Sequence, residues 1–337
     1  MKLVSIGAAI LGIAVIGALV VYFGTDAVVR SLFAISWGGL SAVCLIHLSL
    51  IVVMGVAWRV LVTDARAWVF IWGRFVRDAG SEVLPFSPMG GCVLGARAVT
   101  LAGVPGPAAV ASMIADVTLE FFAKLVYTAL GLIMLVHLRA ELPDALPVAI
   151  GAVVAGLIAI ALIVVQRHGF SLFERFARLI GRGWADRTAA GAAAVGAVLT
   201  SIYRRKARVW SGFLLHLACW IAGALEVWCA LRFAGTPLDF QAVLIIESLL
   251  YAIRTLAFAI PNAVGVQEGA YILLGAPFGL TPEMALAISL LKRMRDLAIG
   301  LPVLGIWQAV EGDRLWRRMA SRPMAPKPAG NPGEDDG

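Results

Sequence analysis

Charge is the scarcest commodity in this chain. Asp, Glu, Lys and Arg make up 15% of its 337 residues, against about 25% in a soluble domain. Hydrophobic residues reach 61% and the mean hydropathy is +0.89, which excludes an ordinary water-soluble fold. Cys44, Cys92, Cys219 and Cys229 are scattered and form no CxxC pair; His47, His137, His168 and His216 are isolated. That spacing offers neither a disulfide framework nor a metal-ligand set, and all eight read as packing or interfacial residues. No P-loop, nucleophile motif or cofactor fingerprint is present, so no cofactor and no catalytic residue are expected. The net charge of +7 does not mark a nucleic-acid binder: many of the basic residues lie between Arg167 and Arg208 or after Arg314, beside apolar spans. Such a distribution is the signature of membrane topology and anionic headgroups.

What the chain has instead is apolar length. A hydrocarbon core needs roughly 20 consecutive apolar residues, and runs of about that size occur at 3–23, 38–62, 108–137, 145–166, 209–234 and 283–310. The first is too long for a signal-peptide core and lacks a cleavage pattern, so it reads as a retained helix. The positive-inside rule puts the basic connector 167–208, Lys2 and the tail from Arg314 in the cytoplasm. The connections Gly24 to Ser36 and "RAELPDALP" then lie on the opposite side. "FSLFERFARLIGRGW" spaces Phe173, Phe176 and Ile180 for a surface helix, and the Pro- and Gly-rich residues 317–337 read as a disordered tail.

Two segments, 67–106 and 238–281, are long enough to enter the membrane twice but are broken in the middle. The first break contains Pro85, Gly90 and Gly91; the second contains Pro261, Asn262 and Gly265. Each is either a re-entrant helical hairpin or a pair of spans. Pro85, Gly103 and Glu120 recur with the same spacing as Pro261, Gly279 and Asp296, and Pro105 and Pro282 follow the two glycines. The expected fold is an all-α polytopic membrane protein: about six full transmembrane helices and two Pro/Gly-broken re-entrant hairpins. These form an inverted repeat, 38–137 and 209–310, within a membrane domain 1–316. Broken helices in inverted repeats are a transporter architecture.

Ionisable residues are expensive at membrane depth, at least about 2.5–3.5 kcal/mol each, yet they concentrate around the two breaks. Arg74, Arg77, Asp78 and Glu82 share one helix face at spacings of three and four, with Arg97 beyond the break. Asp116, Glu120 and Lys124 repeat every four residues. Glu226, Glu247 and Arg254 precede the second break, Glu268 follows it, and "LLKRMRDL" sets Lys292, Arg293, Arg295 and Asp296 inside an apolar span. Such charges either fix helix registry as ion pairs, with residues such as Arg74 and Lys292 snorkelling, or line one polar cavity. Irregular backbone at this depth is tolerated only where it is buried in protein or faces water, so the breaks and the charges together point to a cavity for a polar headgroup.

The stretches "GRFVRDAGSEVLPFSPMGGCVLGARAVTLAGV", "DVTLEFFAKLVYTALGL", "PNAVGVQEGAYILLG" and "LKRMRDLAIGLPVLGIWQ" resemble the hopanoid-biosynthesis-associated integral membrane proteins. These belong to the superfamily of the lysylphosphatidylglycerol synthase transmembrane region. The resemblance, over about residues 35–312, implies a lipid flippase or trafficking protein of a bacterial inner membrane, its partners hopanoids or aminoacyl phospholipids and, in some assemblies, a second copy. By motif position it implies that Arg77, Asp78, Glu82 and Arg97 line one side of the cavity and Glu120, Glu268, Arg293 and Asp296 the other, near Asp116. Two rivals stand beside it. One is a lipid-headgroup transferase using paired carboxylates such as Asp116 and Glu120; the other is a membrane scaffold for pathway enzymes acting through the basic connector.

Overall fold

The computed structural model describes residues 25–62, 65–83, 87–139, 189–257 and 260–320, together with Gly17, Val21 and Tyr22. The expected span 3–23, apart from those three residues, the span 145–166, the surface helix at 170–184, Pro85 and residues 321–337 of the expected tail lie outside these residues, whereas residues 317–320, expected to be disordered, are helical. Among the described residues the chain is helical and contains no strand. Nine α-helices follow in order: α1 (Thr25–Val60), α2 (Ala67–Val83), α3 (Ser87–Leu101), α4 (Gly106–Arg139), α5 (Ala189–Arg204), α6 (Lys206–Phe233), α7 (Phe240–Leu256), α8 (Val266–Gly275) and α9 (Pro282–Ala320). Helices α1, α4 and α6 are long and apolar enough to cross a membrane. Helix α9 has the length, 39 residues, but carries the four charges of "LLKRMRDL" and Pro302. It hides most of that charge against the bundle: Lys292, Arg295 and Asp296 are all buried.

Two stretches differ from expectation. The connection from Gly24 to Ser36 is largely helical: Val28 and Ile35 bury themselves in the core, and α1 is interrupted only at Ser36, whose φ is 63°. The Ser36 hydroxyl accepts a hydrogen bond from the Gly39 N–H at 3.5 Å, the local signature of a helix restarting. The second half of the basic connector, in turn, is the Ala-rich helix α5. Its residues Val195, Val198, Leu199 and Ile202 pack with Leu61, Ala111, Ala115 and Leu119.

The two broken segments are helical pairs. In the first, α2 and α3 run antiparallel with backbones almost touching. A β-carbon at Gly91 would collide with the Arg77 carbonyl oxygen and Ser81, and one at Gly95 with Arg77 and the Gly73 carbonyl. In the second, α7 ends before a short 3-10 turn at Pro261–Ala263, and α8 starts from Gly265. At 1.5 Å per residue, α2 (17 residues) is ~25 Å long and α8 (10 residues) ~15 Å, both short of the ~30 Å hydrocarbon core. Gly103 and Gly279, matched in the sequence, do the same work. Both have positive φ, 101° and 79°, and both sit in six-residue terminating loops closed by Val104 N to Val99 O and Leu280 N to Gly275 O. This is the Schellman end that favours glycine.

Packing follows the sequence repeat. Helix α1 packs on α6; α2 packs on α9 as α7 packs on α4; α1 packs on α9 as α6 packs on α4. These are the pairs that an internal two-fold would exchange. Gly131 lets α4 close on α7, because a β-carbon there would overlap Ser248. Adding a methyl at these contacts overpacks the seam by about 1–3 kcal/mol. Gly91→Ala and Gly131→Ala should therefore lower the melting temperature of detergent-solubilised protein, measured by tryptophan fluorescence, whereas Gly196→Ala, which opens into free space, should not.

Candidate functional site

The three-and-four spacing on α2 points Arg74 and Arg77 at α4. Arg77 donates from Nη1 to Asp116 at 2.9 Å and from Nη2 to Glu120 at 2.7 Å. Arg74 donates to Asp78 at 2.8 Å and to Glu120 at 3.0 Å. Lys124, one turn after Glu120, reaches its other oxygen at 3.0 Å. His216 of α6 contacts the second oxygen of Asp116 at 2.9 Å. Three cations thus meet three carboxylates. Asp116 is fully buried, while the Lys124 side chain keeps 32% of its surface, so the cluster has a dry floor and a wet rim. Paired and hydrogen-bonded on every side, these charges meet the condition under which buried ions are tolerated.

The breaks meet each other through polar contacts. Arg254, in the last turn of α7, donates to Glu82 at 3.3 Å and to the Asn262 side-chain oxygen at 2.9 Å. Asn262 donates to the Glu82 carbonyl at 2.9 Å. Arg254 and Glu82 both lie in the last turns of their helices, where carbonyl groups lack intrahelical partners and the helix dipole is negative. A guanidinium placed there serves both helix ends. Asn262 holds φ 49°, a left-handed conformation that asparagine tolerates better than most residues.

A third cluster joins the halves at α1, α6 and α9. Glu226 accepts from Arg295 and lies 2.9 Å from Nδ1 of His47, and Arg295 also donates to Asp296 at 3.0 Å. Deeper in the second half, Glu247 pairs with Lys292 at 2.7 Å and with the Tyr271 hydroxyl.

The α2–α4 cluster, the tip contact and the α1–α6–α9 cluster surround one cavity of about 400 Å³, a size typical of small-ligand sites. Arg74, Arg77, Lys124, Arg254 and Arg295 line it, opposed by Asp78, Glu82, Glu120, Glu226 and Asp296. Trp220 and Tyr251, edge to face at 4.2 Å, form an aromatic wall. Lys124 rests over the Trp220 ring at 4.6 Å, a cation–π contact. Thr128 and Thr255 add hydroxyl groups.

Of the residues expected at the site, Arg77, Asp78, Glu82, Glu120, Asn262 and Asp296 line this cavity, and Asp116 stands directly behind Arg77. Others are elsewhere. Arg97 is half-exposed and pairs with Glu311 of α9. Glu268 is fully buried in a separate cluster, accepting from the Gly265 N–H at 2.8 Å, Ser289 at 2.8 Å and Arg293 at 2.8 Å. Its work is to cap α8 and tie it to α9. Gly90 and Gly91 belong to α3, where Gly91 permits the hairpin contact. Gly265 precedes α8 with φ 82°, and Pro261 opens the 3-10 turn. The lining also holds Arg74, Lys124, Glu226, Arg254 and Arg295, noted in the sequence among the charges but not assigned to the cavity by motif position, and His47, Trp220 and Tyr251, which were not expected there. The repeat carried a signal for one of them: the offset that aligns Pro85 with Pro261 also aligns Asp78 with Arg254.

These features define an all-α, multi-pass integral membrane protein with a charged internal cavity. Residues 9–303 match the lysylphosphatidylglycerol synthase transmembrane region, and the chain belongs to that family. A UPF0104 membrane protein of Methanothermobacter thermautotrophicus (strain Delta H) is 22% identical over 306 residues, covering 86% of this chain and 90% of its own. No solved structure matches.

Removing Arg77 takes one of three cations from the buried cluster, leaving Asp116 with only a 3.5 Å contact to Arg74 and its contact with His216, and breaking a buried pair costs about 3–5 kcal/mol. Arg77→Ala should therefore destabilise the purified protein severely in chemical unfolding. Arg97→Ala, which opens an exposed pair, should cost no more than about 1 kcal/mol.

Proposed function

We propose that this protein takes the headgroup of a membrane lipid into its central cavity and moves the lipid between leaflets of a bacterial inner membrane, its apolar body remaining in the bilayer. The observation that carries this reading is the lining of the cavity, where five cationic and five acidic side chains stand around one chamber beside an aromatic wall. A lining of both signs suits a headgroup of both signs. Guanidinium groups complement phosphate or carboxylate, while carboxylates and aromatic faces complement an amine. Aminoacyl phospholipids and polar hopanoids are the substrate classes proposed, in keeping with the family and with the sequence resemblance. The two broken hairpins serve as re-entrant elements of an inverted repeat whose tips meet at the cavity, and both termini are placed in the cytoplasm by the basic flanks. The chain lacks a nucleotide-binding motif, so an ion or lipid gradient supplies the drive. The protein is proposed to act without chemistry on the lipid.

The test is leaflet-resolved transport in proteoliposomes with fluorescent phosphatidylethanolamine and lysylphosphatidylglycerol probes and a hopanoid. Glu120→Gln and Arg254→Gln should each slow movement at least tenfold in protein that remains folded, and Arg97→Gln should leave the rate within twofold of the parent. A change in lipid mass would favour a transferase instead. Unaltered lipids that stay in their original leaflet would favour a scaffold.

A further inference from the structure

The ion pairs inside the bundle do not balance. Among the described residues most clusters are even. The α2–α4 cluster has three charges of each sign, the tips one of each, and the remaining isolated pairs are one to one. The odd charge sits where α1, α6 and α9 meet: among the described residues Arg295 is the one Lys or Arg in contact with both Glu226 and Asp296, while Lys292 and Arg254, which act on them from further away, are paired with Glu247 and Glu82. An uncompensated charge at membrane depth is costly. An imidazole stands beside it: His47 Nδ1 is 2.9 Å from Glu226, and its side chain is 24% exposed and lines the cavity.

The other imidazole of the network does not fill this role. His216 is fully buried, touches Asp116 in a cluster that is already even, and leaves Nδ1 without a hydrogen-bond partner. A proton there would have no acceptor, and an unmet buried donor costs about 1–3 kcal/mol.

We propose that His47 is the site of a coupling proton, and that lipid movement by this protein is proton-coupled. The inference rests on the translocation reading above. With Nδ1–H donated to Glu226, the exchangeable proton is the one on Nε2, taken from and returned to water in the cavity. When it is bound, the His47–Glu226–Arg295–Asp296 set is neutral. When it leaves, one negative charge remains on the seam between the halves, and the cationic part of a headgroup competes with the proton for it. The groups around His47 are Glu226 from α6, Arg295 and Asp296 from α9, and Cys44 on its own helix. Across the same cavity stand Arg74, Arg77 and Asp78 of α2 and Glu120 and Lys124 of α4, whose three cations are matched by Asp78, Glu120 and Asp116, with Glu82 of α2 and Arg254 of α7 paired to each other beside them. A proton shifts a conformational equilibrium only by its differential affinity for the two states. Here the difference originates at an interface of elements from both repeats, α1 and α6, where rocking of one half against the other would be felt.

Two measurements on the full chain in vesicles of phosphatidylethanolamine and phosphatidylglycerol test this. The first is the movement of a fluorescent phosphatidylethanolamine under imposed pH gradients of either direction. The initial rate should change at least fivefold between opposite two-unit gradients, and His47→Gln should lose that dependence. His47→Lys, which fixes the positive charge, should lose it as well. The second is pH-difference infrared spectroscopy, in which imidazole and carboxylate bands should change together and disappear in both His47→Gln and Glu226→Gln. Gradient-indifferent movement in the parent overturns the proposal, as does gradient dependence that survives His47→Gln or difference bands that persist in both variants. No probe movement under any gradient, with the coupled bands intact, would instead sink the translocation reading and leave the proton site standing.

Discussion

The Arg74–Arg77 clamp on Asp116 and Glu120 is the contact on which the rest of the site depends. It ties the first hairpin to the long helix behind it, and through Asp116 it reaches His216 on α6. A charge at this depth cannot be left alone without a cost comparable to a large part of a protein's whole stability. Each member is therefore held by its partners, and the geometry of α2, α4 and α6 is fixed together. Lys124 marks the limit of this rule. It is paired but still partly exposed, so polarity passes from the packed cluster into the cavity without an unpaired group in between.

The same constraint explains where the backbone breaks. Each first hairpin arm stops part-way through the bundle, and a stopped helix exposes carbonyl groups that hydrocarbon cannot satisfy. The ends of α2 and α7 answer this by meeting: Arg254 and Asn262 bind the Glu82 side chain and carbonyl. The irregular segments are thus sheltered by each other and by the cavity. At the start of α8, Glu268 performs a local service of its own by capping the Gly265 N–H.

Much of this was legible in the sequence, and the failures have identifiable causes. Apolar length marked α1, α4 and α6, and Pro and Gly marked the breaks, because these signals are local. The face shared by Arg74, Arg77 and Asp78 was also legible, since helical periodicity settles it. Glu268 was misplaced because a carboxylate near a break looks alike whether it lines a chamber or caps a helix. The spacing from Gly265 to Glu268, that of a capping box, favoured the cap. Arg97 lies more than three turns beyond the break, so its helix carries it away from the tips to Glu311. The Glu82–Arg254 and His47–Glu226 contacts join residues more than 170 positions apart, and no periodicity reports such pairs.

The two halves share a plan but not a charge pattern. At the offset that superimposes Pro85 on Pro261, Asp78 falls on Arg254 and Asp116 on Lys292, while Glu120 falls on Asp296. A dimer assembled from two copies of the first half would set Asp78 where Arg254 now stands, bringing a carboxylate against Glu82 in place of a guanidinium. The opposite signs make the tip contact a meeting of unlike ends, Arg254 of α7 with Glu82 of α2. Each end finds its complement in the other rather than in a copy of itself, so the contact decides which two helix ends can meet.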